Sequence, residues 1–309
     1  MYYQFADLVL RSELPLAELP SASQGPAECR VRSGPIDRSG ASGQRWDHHW
    51  PSADGGVALS CARDGDAYRV GMSGLATFLV EGGGSEITCR PVDALPHVTL
   101  EHMLIDQVLP RVLAHRGRLV IHAGCVETPG GAIGFLGASG AGKSTLCGEF
   151  ARAGHALLGD DGVVVREAHA GGFEVIATYP GLRLLPDPLA CLFDVEAGGA
   201  PVAHYTTKRR LDRNRVSLAM AAGPRALRAV YFLDGGSRIE IAPLTEREGF
   251  MALLTASFQL HLDDRERAAE LFLRIGALQS AVPVRRLTYP RDFARLPAVR
   301  EALLADAAG

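Results

Sequence analysis

The sequence predicts an α/β fold in which a smaller β-rich N-terminal domain, residues 1–97, precedes a larger α/β domain, residues 98–309. Three patterns support this division: short runs of alternating polarity in the first part, one long run with helical spacing at the junction, and strand and helix patterns that alternate after it. Hydrophobic residues make up 47% of the 309 residues and charged residues 22%, which excludes an intrinsically disordered chain.

The first part is predicted to form a series of short strands. Residues 68–72 and 76–80 alternate in polarity, and glycine clusters at 55–56 and 82–84 mark turns. The stretch from Ser21 to Gln44 is rich in Ser, Gly, Pro and Arg and lacks apolar periodicity, so we expect a long loop there. This part shows no catalytic pattern.

A helix is predicted from Thr99 to His115, where apolar residues recur on one helical face. Pro110 lies inside this run and predicts a kink or an early end. Further along, Thr245 and Glu248 have the spacing of a capping box that opens a helix. The other predicted elements are strands at 118–123, 132–136, 156–158, 162–165, 229–233 and 282–288, and helices from Lys143 and over 264–279. This alternation is typical of an α/β core.

The formal net charge of −3 gives no overall electrostatic reason to expect a nucleic-acid or membrane partner. The six cysteines are dispersed without CxxC spacing, as expected of thiols in a reducing compartment. The N-terminus lacks the pattern of a signal peptide, and no window of about 18 residues is uninterruptedly apolar. We therefore predict a cytoplasmic protein and leave its oligomeric state, monomer or homo-oligomer, open.

The strongest motif runs from Gly137 to Ser144 and satisfies the pattern GxxxxGK[ST] between an apolar strand and a helical pattern. In such a phosphate loop the backbone N–H groups point at phosphate oxygens, Lys143 reaches the β- and γ-phosphates, and the Ser144 hydroxyl ligates Mg²⁺. The predicted nucleotide-binding residues of the loop are Gly137, Ala138, Ser139, Gly140, Ala141, Gly142, Lys143, Ser144 and Thr145. A glycine-rich turn that binds nothing is the alternative, and the agreement of motif and context argues against it.

Two carboxylates, Asp160 and Asp161, follow the apolar strand at 156–158, seventeen residues after Lys143. One carboxylate at this place can hold Mg²⁺, and we assign that role to Asp160. The second can accept the proton of an attacking hydroxyl group, so Asp161 is the predicted catalytic base of a kinase. The alternative for Asp161 and Gly162 is a turn that links two strands.

His122 follows the strand that begins at Arg118 and lies fifteen residues before Gly137. This spacing allows the two segments to pair as neighbouring strands, with His122 near the phosphates. A histidine at the end of a strand more often has a structural role. Only the combination of His122 with the loop and the acidic pair favours a catalytic role.

The densest positive cluster comprises Lys208, Arg209, Arg210, Arg213 and Arg215. We predict that Lys208 and Arg209 contact the triphosphate from a flexible basic loop, where they would neutralise charge during phosphoryl transfer. A solvated surface run is the equally weighted alternative. Arg183 is a further candidate for contact with phosphate.

In order and spacing, His122, the phosphate loop and the segment from Gly154 to Asp161 resemble the catalytic domain of HPr kinase/phosphorylase. The resemblance implies a P-loop kinase core of the HPr kinase type, ATP and Mg²⁺ as cofactors, and phosphorylation of a serine hydroxyl. It also implies that Asp160 binds Mg²⁺, that Asp161 is the base and that His122 assists in the site.

Over its whole length the chain is more similar to a bacterial HPr-kinase-like group found beside peptide-modification genes, including lasso-peptide clusters. The segments that carry this likeness are 12–16, 102–110 and 284–292. The likeness implies a peptide or protein partner with an acceptor serine, including the C-terminal serine of a lasso-type precursor peptide.

The sequence departs from HPr kinases at Thr178, where they carry a metal-binding glutamate. Metal binding would then depend more on Ser144 and Asp160, or would recruit Asp187. No counterpart of their docking region for HPr is found, which weakens HPr itself as the substrate. Three other functions stay open: a small-molecule kinase on the same scaffold, a nucleotide-binding regulatory module without catalysis, and the reverse, phosphorolytic reaction.

Overall fold

A computed structural model describes residues 1–37, 45–51, 55–179, 181–193, 199–211, 218–260 and 262–308. They form two compact units: one contains residues 1–118 and 258–269, and the other contains residues 119–257 and 270–309. The division therefore falls after Arg118 and not after residue 97. The helical residues that follow residue 97 belong to the first unit because they pack against it. For example, a Cβ atom on Gly84 would lie 2.8 Å from Cγ1 of Val112.

The first unit contains an eight-stranded sheet among its described residues. Its strands are β1 (Tyr2–Phe5), β2 (Leu8–Ser12), β3 (Cys29–Ser33), β4 (His48–Pro51), β5 (Val57–Asp64), β6 (Ala67–Met72), β7 (Ala76–Glu81) and β8 (Glu86–Pro91). They are ordered β1-β2-β3-β8-β7-β6-β5-β4. A 3-10 turn, Gly82–Gly84, separates β7 from β8. The two strands predicted at 68–72 and 76–80 correspond to β6 and β7.

Strand β3 corrects the prediction of a loop from Ser21 to Gln44. It pairs in parallel with both β2 and β8, inside the sheet. Its core-facing residues, Cys29 and Val31, alternate with exposed arginines over only five residues, so the apolar period is too short to stand out. Residues 38–44 of the stretch lie outside the described residues.

The predicted helix between Thr99 and His115 consists of α1 (His97–Met103), a π-helical turn at Leu104–Val108 and α2 (Leu109–His115). Pro110 occupies the first turn of α2. Because proline has no backbone N–H and its ring crowds the preceding turn, the wider π turn directly before it accommodates the residue without ending the helical run.

The second unit contains the elements that carry the site. Its strands are β9 (Leu119–Ile121), β10 (Gly124–Thr128), β11 (Gly131–Leu136), β12 (Leu157–Gly159), β13 (Val163–Glu167), β14 (Phe173–Ala177), β15 (Arg183–Leu184), β16 (Ala200–Pro201), β17 (Arg209–Arg210), β18 (Arg225–Gly235), β19 (Glu240–Pro243) and β20 (Val284–Tyr289). The helices after α2 are α3 (Lys143–Arg152), α4 (Pro186–Phe193), α5 (Glu246–Ala256), α6 (Arg265–Ala281) and α7 (Leu296–Ala308), and a 3-10 turn, Phe293–Arg295, precedes α7. None of the helices in the described ranges is long and apolar enough to cross a membrane.

Within the described residues of this unit, nine strands form one sheet and β15, β16 and β17 form a small second sheet. Side chains alternate across the large sheet: Ile133 and Phe135 of β11 join a hydrophobic cluster with α3, α4 and α7, whereas Ala132 and Leu136 join a cluster with α5 and α6. Helices thus cover both faces of the sheet, and the predicted mixed α/β fold is confirmed.

The strand directions bring several chain ends to one edge of the large sheet. Strand β10 is antiparallel to both β11 and β12, so β11 and β12 run in the same direction. Strand β18 is parallel to β11, and β20 is parallel to β18. The C-terminal ends of β11, β12, β18 and β20 therefore lie at the same edge, which is where open α/β sheets place ligands.

Candidate active site

The glycine-rich segment occupies the turn between β11, which ends at Leu136, and α3, which begins at Lys143. Residues 138–140 are exposed at its tip, and Ala141 is buried and donates its N–H to the carbonyl of Ala138 at 3.0 Å. Gly142 has a φ of 102°, and a Cβ atom there would lie 2.3 Å from Oη of Tyr289. Position 142 therefore requires glycine for both its backbone angle and its space.

Lys143 is 6% exposed and lies against its own loop. Its ammonium group donates hydrogen bonds to the carbonyl oxygens of Gly137 at 2.8 Å and Ala138 at 3.3 Å. Burial lowers the pKa of Lys143, and the negative charge of Asp161 acts in the opposite direction. A cation that is partly withdrawn from water interacts more strongly with an incoming phosphate anion than an exposed cation would.

Asp160, the residue that follows β12, is 1% exposed. Its Oδ2 atom accepts a hydrogen bond from the backbone N–H of Arg183 at 2.8 Å. The nearby Ser144 side chain acts to lower the pKa of this carboxyl group. The Oδ1 atom of Asp160 has no hydrogen-bond partner among the described residues. Burial, with a further contribution from Asp161, raises the pKa of Asp160 to about 7. A buried carboxylate with an unsatisfied oxygen is stabilised by a cation.

The residues present fit a magnesium ion that is bound together with phosphate. In the described ranges no group of three or more His, Cys, Asp or Glu side chains is arranged to hold a metal. Mg²⁺ at phosphate sites commonly takes only one or two protein oxygens, and phosphate and water complete its shell. Oδ1 of Asp160 and the Ser144 hydroxyl, both at the loop, are suitable oxygens.

Thr178, which stands in place of the family's glutamate, and Asp187, a candidate metal ligand, have other surroundings. The Thr178 hydroxyl is buried and donates to the carbonyl of Gly162 at 2.7 Å, so it stabilises the turn after the acidic pair. Asp187 lies exposed in the first turn of α4, where a carboxylate favours the helix N-terminus.

The Asp161 side chain is 13% exposed, and its Oδ2 atom lies 3.4 Å from an Nη atom of Arg183. Arg183, predicted from the sequence as a further candidate for contact with phosphate, is the residue beside Asp161, and the phosphate contact stays a prediction. Its side chain is 0% exposed, and its guanidinium lies 4.8 Å from the centre of the Tyr179 ring as well as beside Asp161. The guanidinium is directed towards these two residues, away from solvent.

His122 lies beside the acidic pair, but the strand pairing that places it there differs from the predicted one. Strand β9, which precedes it, pairs with β13, whereas β10 is the neighbour of β11, so the predicted pairing with the loop strand is wrong. The Nδ1 atom of His122 lies 2.8 Å from the backbone carbonyl oxygen of Asp161. The imidazole therefore holds the main chain at Asp161.

The described part of the basic cluster lies near the acidic pair and Lys143. Strand β17, Arg209–Arg210, pairs with β15 and with β16, and Arg209 is half-buried. The half-buried Lys208 lies close enough for its charge to lower the pKa of Asp160 and that of Lys143. Arg213 and Arg215 lie outside the described residues.

No protein-family model matches the chain, and no curated protein matches it. Among solved structures, the HPr(Ser) kinase/phosphatase from Coxiella burnetii is similar over 61% of this chain and 90% of that chain, at 11% sequence identity and a TM-score of 0.36. This distant likeness does not assign the chain to that family.

Two residues at the C-terminal end of β20 contact the loop and were not predicted as site residues. The Tyr289 hydroxyl donates to the carbonyl oxygen of Ala141 at 3.2 Å, and Arg291 donates to that of Gly140. They lie about 150 residues after the loop in sequence, and no local motif marks them. Only the parallel arrangement of β11, β18 and β20 brings them there.

Proposed function

We propose that this protein is a Mg²⁺-dependent kinase that transfers the γ-phosphoryl group of ATP to a hydroxyl group. The observation that carries the proposal is the pair of adjacent carboxylates at the phosphate loop. Asp160 is buried and accepts a hydrogen bond from the backbone N–H of Arg183, whereas Asp161 is partly exposed. Two adjacent carboxylates in different environments can have different roles: one can bind a metal ion and the other can accept a proton.

Binding of the triphosphate would use the loop and the lysine. Apart from Ala141, whose N–H donates to Ala138, the backbone N–H groups of residues 137–142 and the N-terminus of α3 would offer partial positive charge to the phosphates, and Lys143 would add a full charge. Asp160 and Ser144 would hold Mg²⁺, which supplies charge neutralisation at the phosphates. Lys208 adds positive charge on the same side of the site.

Transfer would proceed by in-line attack of the acceptor oxygen on the γ-phosphorus. The new O–P bond forms as the bond between the γ-phosphorus and the bridging oxygen breaks, and ADP leaves. The proton of the acceptor hydroxyl passes to the Asp161 carboxylate. Because the protein forms no bond to the phosphoryl group in this scheme, catalysis depends on positioning and on charge.

For the acceptor we propose a serine of a peptide or protein, including the C-terminal serine of a lasso-type precursor peptide. The support for this choice is the sequence resemblance described above. Measurement of label transfer from [γ-³²P]ATP to serine-terminated peptides and, separately, to sugars and other metabolites tests it. We expect label in the peptide; label in a metabolite alone would replace the proposed acceptor.

The variant Asp161→Asn tests the kinase assignment itself. We expect the nucleotide Kd to stay within about threefold and the transfer rate to fall about 100-fold or more, because a general base contributes on that order. Glu167→Gln is the matched control, since Glu167 is an exposed carboxylate at the end of β13. Tight nucleotide binding without transfer to any acceptor in the unmodified protein would instead indicate a binding module.

A further inference from the structure

Arg183 is among the largest fully buried side chains of the described residues. A buried guanidinium is costly unless other groups compensate its charge, so its surroundings indicate what it does. No loop motif or metal role accounts for this residue.

Arg183 contacts both members of the acidic pair through two different groups. Its backbone N–H donates to Oδ2 of Asp160 at 2.8 Å, and its guanidinium lies 3.4 Å from Oδ2 of Asp161. The guanidinium also lies 4.8 Å from the centre of the Tyr179 ring, within the range of a cation–π contact. Arg183 therefore contacts both carboxylates, to which different roles are assigned.

The position of Arg183 is itself fixed by its neighbours. Its backbone pairs with Arg210 where β15 meets β17. Gly181 lets the Tyr179 ring pack closely, since a Cβ atom on Gly181 would lie 2.9 Å from Cε2 of that ring. An arginine whose backbone and side chain are both held by neighbouring groups loses little further conformational entropy when it pairs with a carboxylate.

We propose that Arg183 is a positioning residue that fixes the orientation of Asp161 for proton transfer through its buried guanidinium; this inference rests on the proposed kinase function. Its buried guanidinium lies beside Asp161 and the Tyr179 ring, so in this proposal its charge acts on Asp161 and not on phosphate. Substitution of its side chain leaves the backbone N–H on Asp160 intact, so variants at this position separate the effect on Asp161 from the effect on the metal-binding carboxylate.

Kinetics of Arg183→Met and Arg183→Lys test the positioning role. We expect Arg183→Met to lower kcat about 10- to 100-fold with the nucleotide Kd within about threefold, and Arg183→Lys to recover part of the loss. Asp161→Asn should cost much less in the Arg183→Met background than alone, because both changes disable the same proton acceptor. Arg166→Met is the control, since Arg166 is an exposed arginine paired with Glu174 on neighbouring strands.

Two kinetic results would overturn the inference. A nucleotide Kd raised tenfold or more in Arg183→Met, with kcat unchanged, would identify Arg183 as a phosphate contact. Losses from Arg183→Met and Asp161→Asn that multiply in the double variant would show that Arg183 does not act through Asp161.

Thermal unfolding of the same three variants tests the contact without any assay of catalysis. Asp161→Asn leaves the buried guanidinium without this carboxylate and should lower Tm, and adding Arg183→Met should lower it by much less than the sum of the single shifts. Additive Tm shifts would overturn the pairing. If the unmodified protein transfers no phosphoryl group, the proposed function fails, and this cycle still decides whether Arg183 and Asp161 are coupled.

Discussion

Asp160 and Asp161 are consecutive residues, yet the fold gives them different chemistry. Asp160 points into the protein, where burial favours its neutral form and raises its pKa to about 7. Asp161 keeps part of its side chain in contact with solvent and faces a buried arginine. The difference arises because successive side chains after a strand point in different directions, and only one of those directions leads into the core.

The first prediction concerns stability and pH in the absence of metal. The folded-state pKa of Asp160, about 7, lies above its ordinary value of 3.8, so folding favours the protonated form. The contribution of this group to stability is therefore fully present below about pH 4 and is lost as pH rises through about 7, at about 1.4 kcal/mol for each unit of pKa difference. Urea unfolding at a series of pH values checks it; Asp160→Asn should remove this part of the pH dependence, and an unchanged profile would contradict the assignment.

The second prediction concerns Mg²⁺ and pH. Because a metal ligand must be ionised, the affinity of the protein for Mg²⁺ with ATP should rise between about pH 6 and pH 8, the range in which Asp160 loses its proton. Calorimetric titration with and without Mg²⁺ measures this. In Asp160→Asn the difference that Mg²⁺ makes should become small at every pH, whereas Glu167→Gln, an exposed carboxylate variant, should behave like the unmodified protein.

At the scale of elements, the glycine-rich loop depends on β20 as well as on β11 and α3. Tyr289 and Arg291 donate hydrogen bonds to carbonyl oxygens of the loop and thereby hold its backbone. Burial raises the pKa of Tyr289, so its hydroxyl stays protonated and remains a donor at neutral pH.

The third prediction compares two glycines with positive φ. Gly142→Ala should lower nucleotide affinity about tenfold or more and destabilise the protein, because its Cβ would lie 2.3 Å from Oη of Tyr289. Gly154, after the end of α3, has a φ of 91° and open space around its Cβ position. Gly154→Ala should therefore cost only about 1 to 2 kcal/mol of backbone strain and leave the nucleotide Kd unchanged. Denaturant unfolding and nucleotide titration separate the two effects; equal Kd values for both variants would contradict the role of the loop.

Elements with local signals were predicted more closely than elements held by distant partners. The capping box at Thr245 was predicted from two residues, and both of its hydrogen bonds are present in α5. Strand β3 was missed because its stability depends on β2 and β8, which lie elsewhere in the sequence. The order of β9, β10 and β11 in the sheet could likewise not be predicted from local sequence, since each strand alone is compatible with several partner strands.

At the scale of the whole second unit, α7 packs against α3, the helix that follows the glycine-rich loop. Val299 and Leu303 of α7 share a hydrophobic cluster with Leu146 and Phe150 of α3. Glu149 of α3 is fully buried and is paired with Arg152 at 2.8 Å and with Arg300 of α7 at 2.6 Å. The C-terminal helix is therefore part of the core, although it is remote from the motif in sequence.

The fourth prediction tests this coupling by truncation of side chains on α7. Leu303 is 0% exposed, so Leu303→Ala should destabilise the protein by about 2 to 5 kcal/mol through lost burial and the cavity left behind. Leu304 is only partly buried at the edge of the same cluster, so Leu304→Ala should cost clearly less. Urea unfolding measures both. Equal losses would show that the α7 interface is not packed as described.

By itself the sequence determined the alternation of strands and helices, the glycine-rich turn before α3, and the presence of two carboxylates after an apolar strand, because these features depend on residues close together in the chain. Only the tertiary structure decided which carboxylate is buried, that Arg183 faces Asp161 and not solvent, that His122 contacts a main-chain carbonyl, and that Tyr289 and Arg291 contact the loop. These depend on strand order and on the directions in which strands run. Local spacing cannot encode them, since contacts between distant segments are selected by the packing of the complete core.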